Sequence, residues 1–261
     1  VEREYEKDLR GVKGVQILLR DAHGQIQGRY QNGKYDQRPH PGRDIQLGLD
    51  AELQALGERL MEGKLGAVVA IEPKTGQILA MVSAPTFDPR SMIGKLRGKY
   101  QRDMTLDPAK PLLNRAIMGQ YPPGSTFKTG QAVTYFTEGI VTDSTRYPCH
   151  HGFNFKGLHV GCHAHASPIS LVPSISTSCN SYYCWGLYHM LSNRRKYKTL
   201  EDAMNVWRDY MVSMGFGYKL GIDLPGEKRG MIPNAKFYDN AFKKWNPLSV
   251  ISISIGQGEV N

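Results

Sequence analysis

The segment YPPGSTFK, residues 121–128, presents one serine and one lysine at the start of a predicted helix. Two prolines and Gly124 restrict the backbone in front of Ser125, and Lys128 follows three residues later. Residues three apart lie on one face of a helix, so the Ser125 hydroxyl and the Lys128 amine can meet. The partly positive helix N-terminus disfavours a cation in the first turn. We therefore expect Lys128 to have a catalytic role. The simpler alternative is that Ser125 only caps the helix.

The pairing of these two groups suggests an activated nucleophile. Burial and the positive helix end would both lower the pKa of Lys128. A neutral amine beside a hydroxyl is a general base beside a nucleophile. An S-x-x-K arrangement of this kind occurs in serine enzymes that react with penicillins. Four-residue patterns also arise by chance, so the surrounding sequence has to support the interpretation.

The sequence around this segment predicts a mixed α+β domain. GAVVAIEPKTGQILAMVS (66–83) contains two β-rich runs around a PKTG turn, which is typical of an antiparallel hairpin. Apolar residues at helical spacing precede it, at Leu49, Leu53, Leu56 and Leu60. Further helices are predicted over residues 125–138, 168–178, 180–192 and 200–214, and SVISISI (249–255) predicts a strand. This order of elements, a hairpin followed by a block of helices and then a further strand, favours an α+β fold over alternating βαβ units.

Composition limits the domain organisation and the partners. The chain has 261 residues with 40% hydrophobic and 22% charged content, which favours an ordered globular protein. KYDQRPHPGRD (34–44) predicts a linker, so residues 1–44 are interpreted as a remnant of another module and 45–261 as the main domain. The net charge of +9 is scattered and no nucleic-acid module accompanies it, so nucleic acid is not an expected partner.

Longer segments resemble one enzyme family. NRAIMGQYPPGSTFK (114–128) closely resembles the nucleophile segment of class B penicillin-binding proteins, the bacterial D,D-transpeptidases that crosslink peptidoglycan. VEREYEKDLRGVKG (1–14) is similar to the pedestal segment of the family. KKWNPLSVISISIGQGE (243–259) is similar to the elongation-type subgroup, penicillin-binding protein 2. The chain also resembles further segments of the family, in the same order along the sequence, at residues 67–89, 221–233 and 253–260.

The resemblance implies a fold, a reaction and a location. The fold would be the penicillin-binding and serine β-lactamase-like transpeptidase fold, an antiparallel sheet flanked by helices. Ser125 would attack the penultimate D-alanine carbonyl of a peptidoglycan stem peptide, D-alanine would leave, and a neighbouring stem amine would resolve the acyl-enzyme; β-lactams would acylate the same serine. The implied partner is a membrane glycosyltransferase of the elongation machinery. A single-pass anchor would hold the domain on the periplasmic or extracellular face of the bacterial cytoplasmic membrane.

The second motif of the family, S-x-N, matches Ser178, Cys179 and Asn180, about fifty residues after the nucleophile. By this resemblance, Ser178 would relay a proton between Lys128 and the leaving nitrogen. The Asn180 amide would hold the substrate peptide and Lys128. A serine and an asparagine two residues apart also occur in ordinary capping loops and turns.

The third motif, K-[ST]-G, is expected on a strand that follows the IGQG stretch. KTG occurs at residues 74–76 and 128–130, but the first lies in the predicted hairpin turn and the second overlaps the nucleophile helix. The resemblance therefore implies a domain that is incomplete at its C-terminus, without a strand that supplies half of the oxyanion hole. On this basis we expect residues 1–261 alone to be acylated by penicillin slowly or not at all.

Cysteines and histidines are concentrated in CHHGFNFKGLHVGCHAH, residues 149–165. Three thiols and one imidazole are a usual ligand set of structural zinc. The candidate ligands are Cys149, Cys162, His165 and Cys179, with His163 as the nearest substitute for His165. The alternatives are a disulfide between Cys149 and Cys162, or thiols that are simply buried. Elongation-type relatives often have Cys, Asp or His at similar places, and a metal there would hold Ser178 in register. Cys184 is expected to pack as a small apolar residue.

Other functions remain open at this point. A class D-like β-lactamase shares the S-T-F-K sequence, although those enzymes usually lack an asparagine in the second motif, so Asn180 counts against it. A β-lactam-sensing receptor domain is disfavoured by the pedestal-like N-terminus. An inert scaffold for a glycosyltransferase is the remaining alternative, and it would tolerate loss of Ser125. No catalytic cofactor is expected.

Overall fold

The computed structural model describes residues 3–261 and contains two compact units. The first comprises the chain up to Met118 together with Ile222–Glu227, and the second comprises Gly119–Gly221 with Lys228–Asn261. The boundary predicted near residue 44 is a different division and stays a prediction, and residues 1 and 2 of that predicted segment lie outside the described residues. No helix within residues 3–261 combines the length and the apolar character needed to cross a bilayer.

The first unit consists of antiparallel hairpins and short helices. Strand β1 (Leu18–Arg20) pairs with β2 (Ile26–Arg29), and β3 (Gly66–Ile71) pairs with β4 (Ile78–Ala84). The second hairpin confirms the one predicted around PKTG. Its turn is closed by Glu72, whose carboxylate accepts a hydrogen bond from the Thr75 backbone N–H at 2.7 Å. The helices of this unit are α1 (Glu6–Leu9), α2 (Ala51–Leu60), α3 (Arg97–Leu106) and α4 (Arg115–Met118).

Helix α2 confirms the helix predicted from the leucine spacing. It begins after Asp50, whose carboxylate accepts hydrogen bonds from the N–H groups of Glu52 and Leu53 at 2.9 and 3.0 Å. This side chain satisfies donors that have no partner within the helix. Leu49 therefore lies outside the helix, although its spacing fitted the stripe.

The second unit is mainly helical. Its helices are α5 (Lys128–Thr137), α6 (Leu171–Ser176), α7 (Asn180–Ser192), α8 (Leu200–Ser213) and α9 (Ala235–Ala241). Strands β5 (Gly152–Phe155) and β6 (Leu158–Gly161) form an antiparallel hairpin. The four helices predicted in this part of the chain are confirmed, although the one predicted from residue 168 begins at Leu171. A capping box between Thr199 and Asp202 fixes the start of α8.

Helix α7 is the centre of the core of the second unit. Tyr182, Tyr183, Leu187, Met190 and Leu191 are fully buried, so the helix has apolar neighbours around most of its surface. Gly186 lets α5 approach, because a Cβ at this position would lie 2.5 Å from the Tyr135 ring. This close packing fixes α5 and α7, which carry Lys128 and Asn180 at their N-terminal ends.

The strand predicted from SVISISI is wrong. Residues Ile251–Ile255 form a 3₁₀ turn, and within residues 3–261 no strand pairs with it. Ile251, Ile253, Ser254 and Ile255 are all buried, so both sides of the alternating pattern face the core. The carbonyl of Ile253 accepts a hydrogen bond from the Gln131 side chain instead of from a neighbouring strand. β-branched residues fit a crowded interior in either conformation, and tertiary contacts here outweigh their preference for strands.

Candidate active site

Ser125 lies in a 3₁₀ turn, Gly124–Phe127, that leads directly into α5. Gly124 has φ +60°, a left-handed conformation that glycine adopts without steric cost. In a 3₁₀ turn residues three apart eclipse one another, so Ser125 and Lys128 project from the same side. Ser125 is exposed, and its hydroxyl caps neither helix. The simpler interpretation of Ser125 as a helix cap therefore has no support from this geometry.

The Lys128 amine meets the second motif. Lys128 is only 2% exposed. Its Nζ lies 2.7 Å from the Ser178 carbonyl oxygen, 3.0 Å from Ser178 Oγ and 2.6 Å from Asn180 Oδ1. The structure thus brings together three of the four predicted catalytic residues across about fifty positions of sequence. In the described part of the chain, the Ser125 hydroxyl has no hydrogen bond to any of them.

Two protonation states of Lys128 fit these contacts. Burial lowers the pKa of the amine, and the neighbouring Cys162 thiol acts in the opposite direction when it is ionised. A charged amine would donate to all three oxygens. A neutral amine would donate to the Ser178 carbonyl and Asn180 Oδ1 and accept from the Ser178 hydroxyl, which can donate as well as accept. The site can therefore hold the neutral amine without leaving a polar group unpaired.

The second motif is held by its own loop and by β6. Ser178 has φ +51° and separates α6 from α7, which turns its carbonyl and hydroxyl toward Lys128. Asn180 Nδ2 donates to the Gly161 carbonyl at 2.7 Å, and the Asn180 backbone N–H donates to Cys162 Sγ at 3.2 Å. These two bonds orient the Asn180 amide so that Oδ1 faces Lys128.

The four predicted metal ligands lie together beside this motif. One donor atom from each of Cys149, Cys162, His165 and Cys179 lies within 4.8 Å of the others. His163 is exposed and is not in the cluster. All four cysteines of the chain are free thiols, so the alternative Cys149–Cys162 disulfide is not formed in this structure.

The hydrogen bonds around the cluster suit a metal centre. The His165 Nδ1 atom lies 2.8 Å from the Ala166 carbonyl, so Nδ1 carries the proton and Nε2 is free to act as a ligand. Cys162 Sγ and Cys179 Sγ accept from the backbone N–H groups of Asn180 and Tyr182. Burial opposes ionisation of Cys162, but the hydrogen bond from the Asn180 backbone N–H and the 3.5 Å contact with His165 Nε2 outweigh it and lower the pKa of its thiol to about 7. Burial raises the pKa of both Cys149 and Cys179.

Cys184 stands apart from this cluster. It is fully buried on α7, and its sulfur lies 3.4 Å from the Ser254 hydroxyl oxygen. Burial raises the pKa of its thiol to about 12, so the thiol stays neutral. This agrees with its predicted role as a small packing residue.

Two groups at the site have no sequence signal that points to them. The Gly161 carbonyl orients Asn180. Every residue has a backbone carbonyl, so the sequence does not indicate which one has this role. Gln131 lies one turn after Lys128 and is fully buried, yet an amide in a helix is an ordinary surface residue when only the sequence is known.

Two family models match the chain. The model described as the penicillin binding protein transpeptidase domain matches residues 66–260. The model described as the penicillin-binding protein dimerisation domain matches residues 1–47. The first match covers the 3₁₀ turn with Ser125, the Lys128 contacts and the Cys/His cluster.

Individual relatives agree with the family models. The peptidoglycan D,D-transpeptidase MrdA of Acinetobacter baumannii is 35% identical over an alignment of 263 positions that covers 99% of this chain and 37% of that protein. The penicillin-binding protein PBP2 of Helicobacter pylori, solved in complex with MreC, is 25% identical with a TM-score of 0.84 over 100% of this chain and 47% of that one. A chain from a peptidoglycan synthase complex that coordinates polymerization and crosslinking is 29% identical, with a TM-score of 0.80 over 100% of this chain and 46% of its own. The chain thus spans less than half the length of these relatives.

Proposed function

Because the chain belongs to the penicillin-binding protein transpeptidase family, we propose that the protein containing it is an elongation-type peptidoglycan D,D-transpeptidase. The observation that carries the proposal is the buried Lys128 amine, held within 3.0 Å of both Ser178 Oγ and Asn180 Oδ1. Within residues 3–261 the hydrogen-bond partners of the Lys128 amine are uncharged oxygens, which fits a base better than it fits a structural ion pair. We place this chemistry in a transpeptidase domain over residues 45–261, with residues 1–44 as the pedestal segment and linker.

The proposed reaction has two steps at Ser125. The hydroxyl oxygen attacks the penultimate D-alanine carbonyl of a stem peptide while its proton passes to Lys128 Nζ. Ser178, 3.0 Å from that nitrogen, relays a proton to the departing D-alanine nitrogen as the peptide bond breaks. An acceptor amine from a second stem then attacks the acyl-enzyme, loses its proton to the same relay and releases Ser125. Asn180 positions Lys128 through Oδ1, and the N–H of Nδ2 that Gly161 does not use is available to the substrate peptide.

Acylation by a β-lactam tests this proposal directly. We expect the whole protein that contains this chain to form a stable covalent adduct with a penicillin, located at Ser125 by mass spectrometry of its peptides. Ser125→Ala is expected to abolish the adduct. Thr129→Ala removes an exposed hydroxyl from the same helix turn and is the matched control, with labelling unchanged.

The other outcomes of this experiment are equally informative. An adduct on a residue other than Ser125 would contradict the proposal. Rapid hydrolysis of the adduct, with turnover of the penicillin, would favour the β-lactamase alternative. Normal cell shape in a strain whose only copy carries Ser125→Ala would favour the scaffold alternative.

We also propose the partners and location that belong to this function. The substrates are peptidoglycan stem peptides, β-lactams are covalent inhibitors, and a membrane glycosyltransferase of the elongation machinery is the protein partner. The similarity to a chain of a peptidoglycan synthase complex supports that partner class. The domain would act on the periplasmic or extracellular face of the cytoplasmic membrane, held by a single-pass anchor.

A structural zinc ion is the second part of the proposal. Cys149, Cys162, His165 and Cys179 supply three sulfur ligands and one nitrogen ligand, a set that zinc prefers in closed structural sites. The ion would neutralise the thiolates and connect the β5–β6 hairpin to the loop that carries Ser178 and Asn180. It would take no part in acyl transfer, so the role of the cluster is to hold the second motif.

Metal analysis tests the zinc proposal. We expect about one zinc per protein chain by elemental analysis, and a tetrahedral thiolate spectrum when cobalt replaces zinc. Cys179→Ser is expected to remove the metal and lower the thermal unfolding midpoint. Cys184→Ser changes a buried cysteine outside the cluster and should keep the zinc. Retention of zinc by Cys179→Ser, or purification of the native protein without any metal, would contradict the proposed ligand set.

A further inference from the structure

Gln131 is a buried amide that the proposed chemistry does not use. It lies on α5, one turn after Lys128, and is 0% exposed. Its Oε1 accepts a hydrogen bond from Trp207 Nε1 at 2.8 Å, and its Nε2 donates to the Ile253 carbonyl at 3.1 Å. Trp207, on α8, is also fully buried.

The chemistry of the two partners fixes the orientation of this amide. An indole N–H can only donate, so it requires the oxygen end of Gln131. A backbone carbonyl can only accept, so it requires the nitrogen end. Exchange of the two amide ends would leave the indole N–H and both ends of the Gln131 amide without suitable partners. Trp207 therefore determines that the Gln131 NH₂ group points at the turn Ile251–Ile255.

That turn is in direct contact with the segment that presents Ser125. The carbonyl of Gly256, which follows the turn, accepts a hydrogen bond from the Gly124 backbone N–H at 2.8 Å. Gly124 immediately precedes Ser125. A chain of hydrogen bonds thus runs from Trp207 through Gln131 to the turn, and from the end of the turn to the residue before the nucleophile.

The contact between Gly256 and Gly124 leaves no free space. A Cβ at Gly256 would lie 2.2 Å from the Gly124 carbonyl oxygen and 2.8 Å from Phe127 Cβ. Phe127 is 1% exposed, and its ring packs edge-on against Trp207 and Phe216 with centroid distances of 6.4 and 5.2 Å. The turn with Ser125 is therefore held between the Ile251–Ile255 turn and the aromatic ring of Trp207.

We propose that Gln131 and Trp207 are positioning residues for the Ser125 hydroxyl. They hold the Ile251–Ile255 turn against α5, and the Gly256 carbonyl then holds the backbone of Gly124. The proposal rests on the function proposed above, because it concerns the rate at which Ser125 is acylated. A nucleophile that is displaced by about 1 Å can lose roughly 10²-fold in rate while the substrate still binds. The proposal thus predicts a loss in the chemical step and not in binding.

Two substitutions and one matched control test this proposal in the whole protein. Gln131→Met keeps the length of the side chain and removes both hydrogen bonds. Trp207→Phe keeps a ring against Phe127 and removes the indole donor. Tyr210→Phe is the control. Tyr210 also lies on α8, and its hydroxyl donates a 3.1 Å hydrogen bond to the carboxylate of Glu138, the residue directly after the C-terminal end of α5. Acylation by a fluorescent penicillin is followed over a range of concentrations, which separates the maximal rate constant from the half-saturating concentration.

We expect Gln131→Met and Trp207→Phe to lower the maximal acylation rate constant by roughly 10–100-fold. The half-saturating concentration should change by less than about threefold, because binding is not affected. The double variant should be no slower than Gln131→Met alone, since both residues act through one hydrogen-bonded chain. Tyr210→Phe should react at the native rate.

Each other result overturns the proposal. Native acylation rates in folded Gln131→Met and Trp207→Phe would show that the chain of hydrogen bonds does not control Ser125. If Tyr210→Phe slows acylation as much as the two substitutions do, or if the two variants do not fold, the two side chains serve only the stability of the unit. Absence of acylation in the unsubstituted protein would instead reject the function proposed above, and this inference with it.

Discussion

Replacement of Lys128 by methionine is expected to lower the rate of Ser125 acylation by roughly 10²–10⁴-fold, the usual contribution of a positioned general base. Methionine has a similar length and can fill the buried position, so the substitution removes mainly the amine. Without Nζ, the group that is proposed to take the Ser125 proton is missing. The measurement is the acylation rate constant of the whole protein with a saturating penicillin.

Stability has to be measured beside this rate. The substitution leaves the Ser178 carbonyl, Ser178 Oγ and Asn180 Oδ1 without the amine that they now contact. A thermal unfolding curve shows how much of the Lys128→Met protein is folded. Lys196→Met is the matched control, because Lys196 also donates to a carbonyl, that of Glu138, and forms an ion pair with the Glu138 carboxylate. An acylation rate for folded Lys128→Met within about threefold of the native rate would exclude Lys128 as the base.

The second large effect is expected from Asn180→Asp, which changes charge with almost no change in shape. A carboxylate 2.6 Å from Nζ would favour the ammonium form and raise the pKa of Lys128, against the lowering that burial produces. At neutral pH less of the amine would be neutral, so acylation would slow by about tenfold for each unit of pKa increase. At higher pH the neutral form returns, and the rate should recover.

The pH profile of acylation distinguishes this effect from a general loss of structure. We expect the midpoint of the rising limb to move to higher pH by about 1–3 units in Asn180→Asp. Asn193→Asp is the control, because it introduces the same charge directly after the C-terminal end of α7. There Asn193 Oδ1 accepts a hydrogen bond from the Lys196 backbone N–H. Its profile should match that of the native protein. A uniform fall in rate across all pH values in Asn180→Asp would contradict the role of Lys128 as the titrating base.

Local features of the fold follow directly from the sequence. The hairpin over β3 and β4, the helix after Asp50 and helices α5, α7 and α8 were all predicted, because each depends on spacing, caps and turn residues within about twenty positions. The SVISISI strand was predicted by the same reasoning and is wrong. Ile253 offers its carbonyl to Gln131, 122 positions away, and no local pattern could reveal that contact.

The candidate site shows the same division. Ser125 and Lys128 are three residues apart, so their shared face follows from helix geometry alone. Ser178 and Asn180 were identified through a resemblance to a family motif, not from physical spacing. His163 and His165 are separated by one residue, and only the position of the Cys/His cluster selects His165. Trp207 gave no signal, since a tryptophan on a helix usually fills the core.

The sequence by itself determined which groups the protein has available: a hydroxyl and an amine one turn apart, a Ser-x-Asn loop, and three thiols with an imidazole. Only the tertiary structure decided that the amine of Lys128 lies 2.6 Å from Asn180 Oδ1 and that Gln131 connects Trp207 to the turn behind the nucleophile. The reason is physical: local backbone preferences act over a few residues. The partner of a buried polar group is selected by the packing of helices that are far apart in the chain.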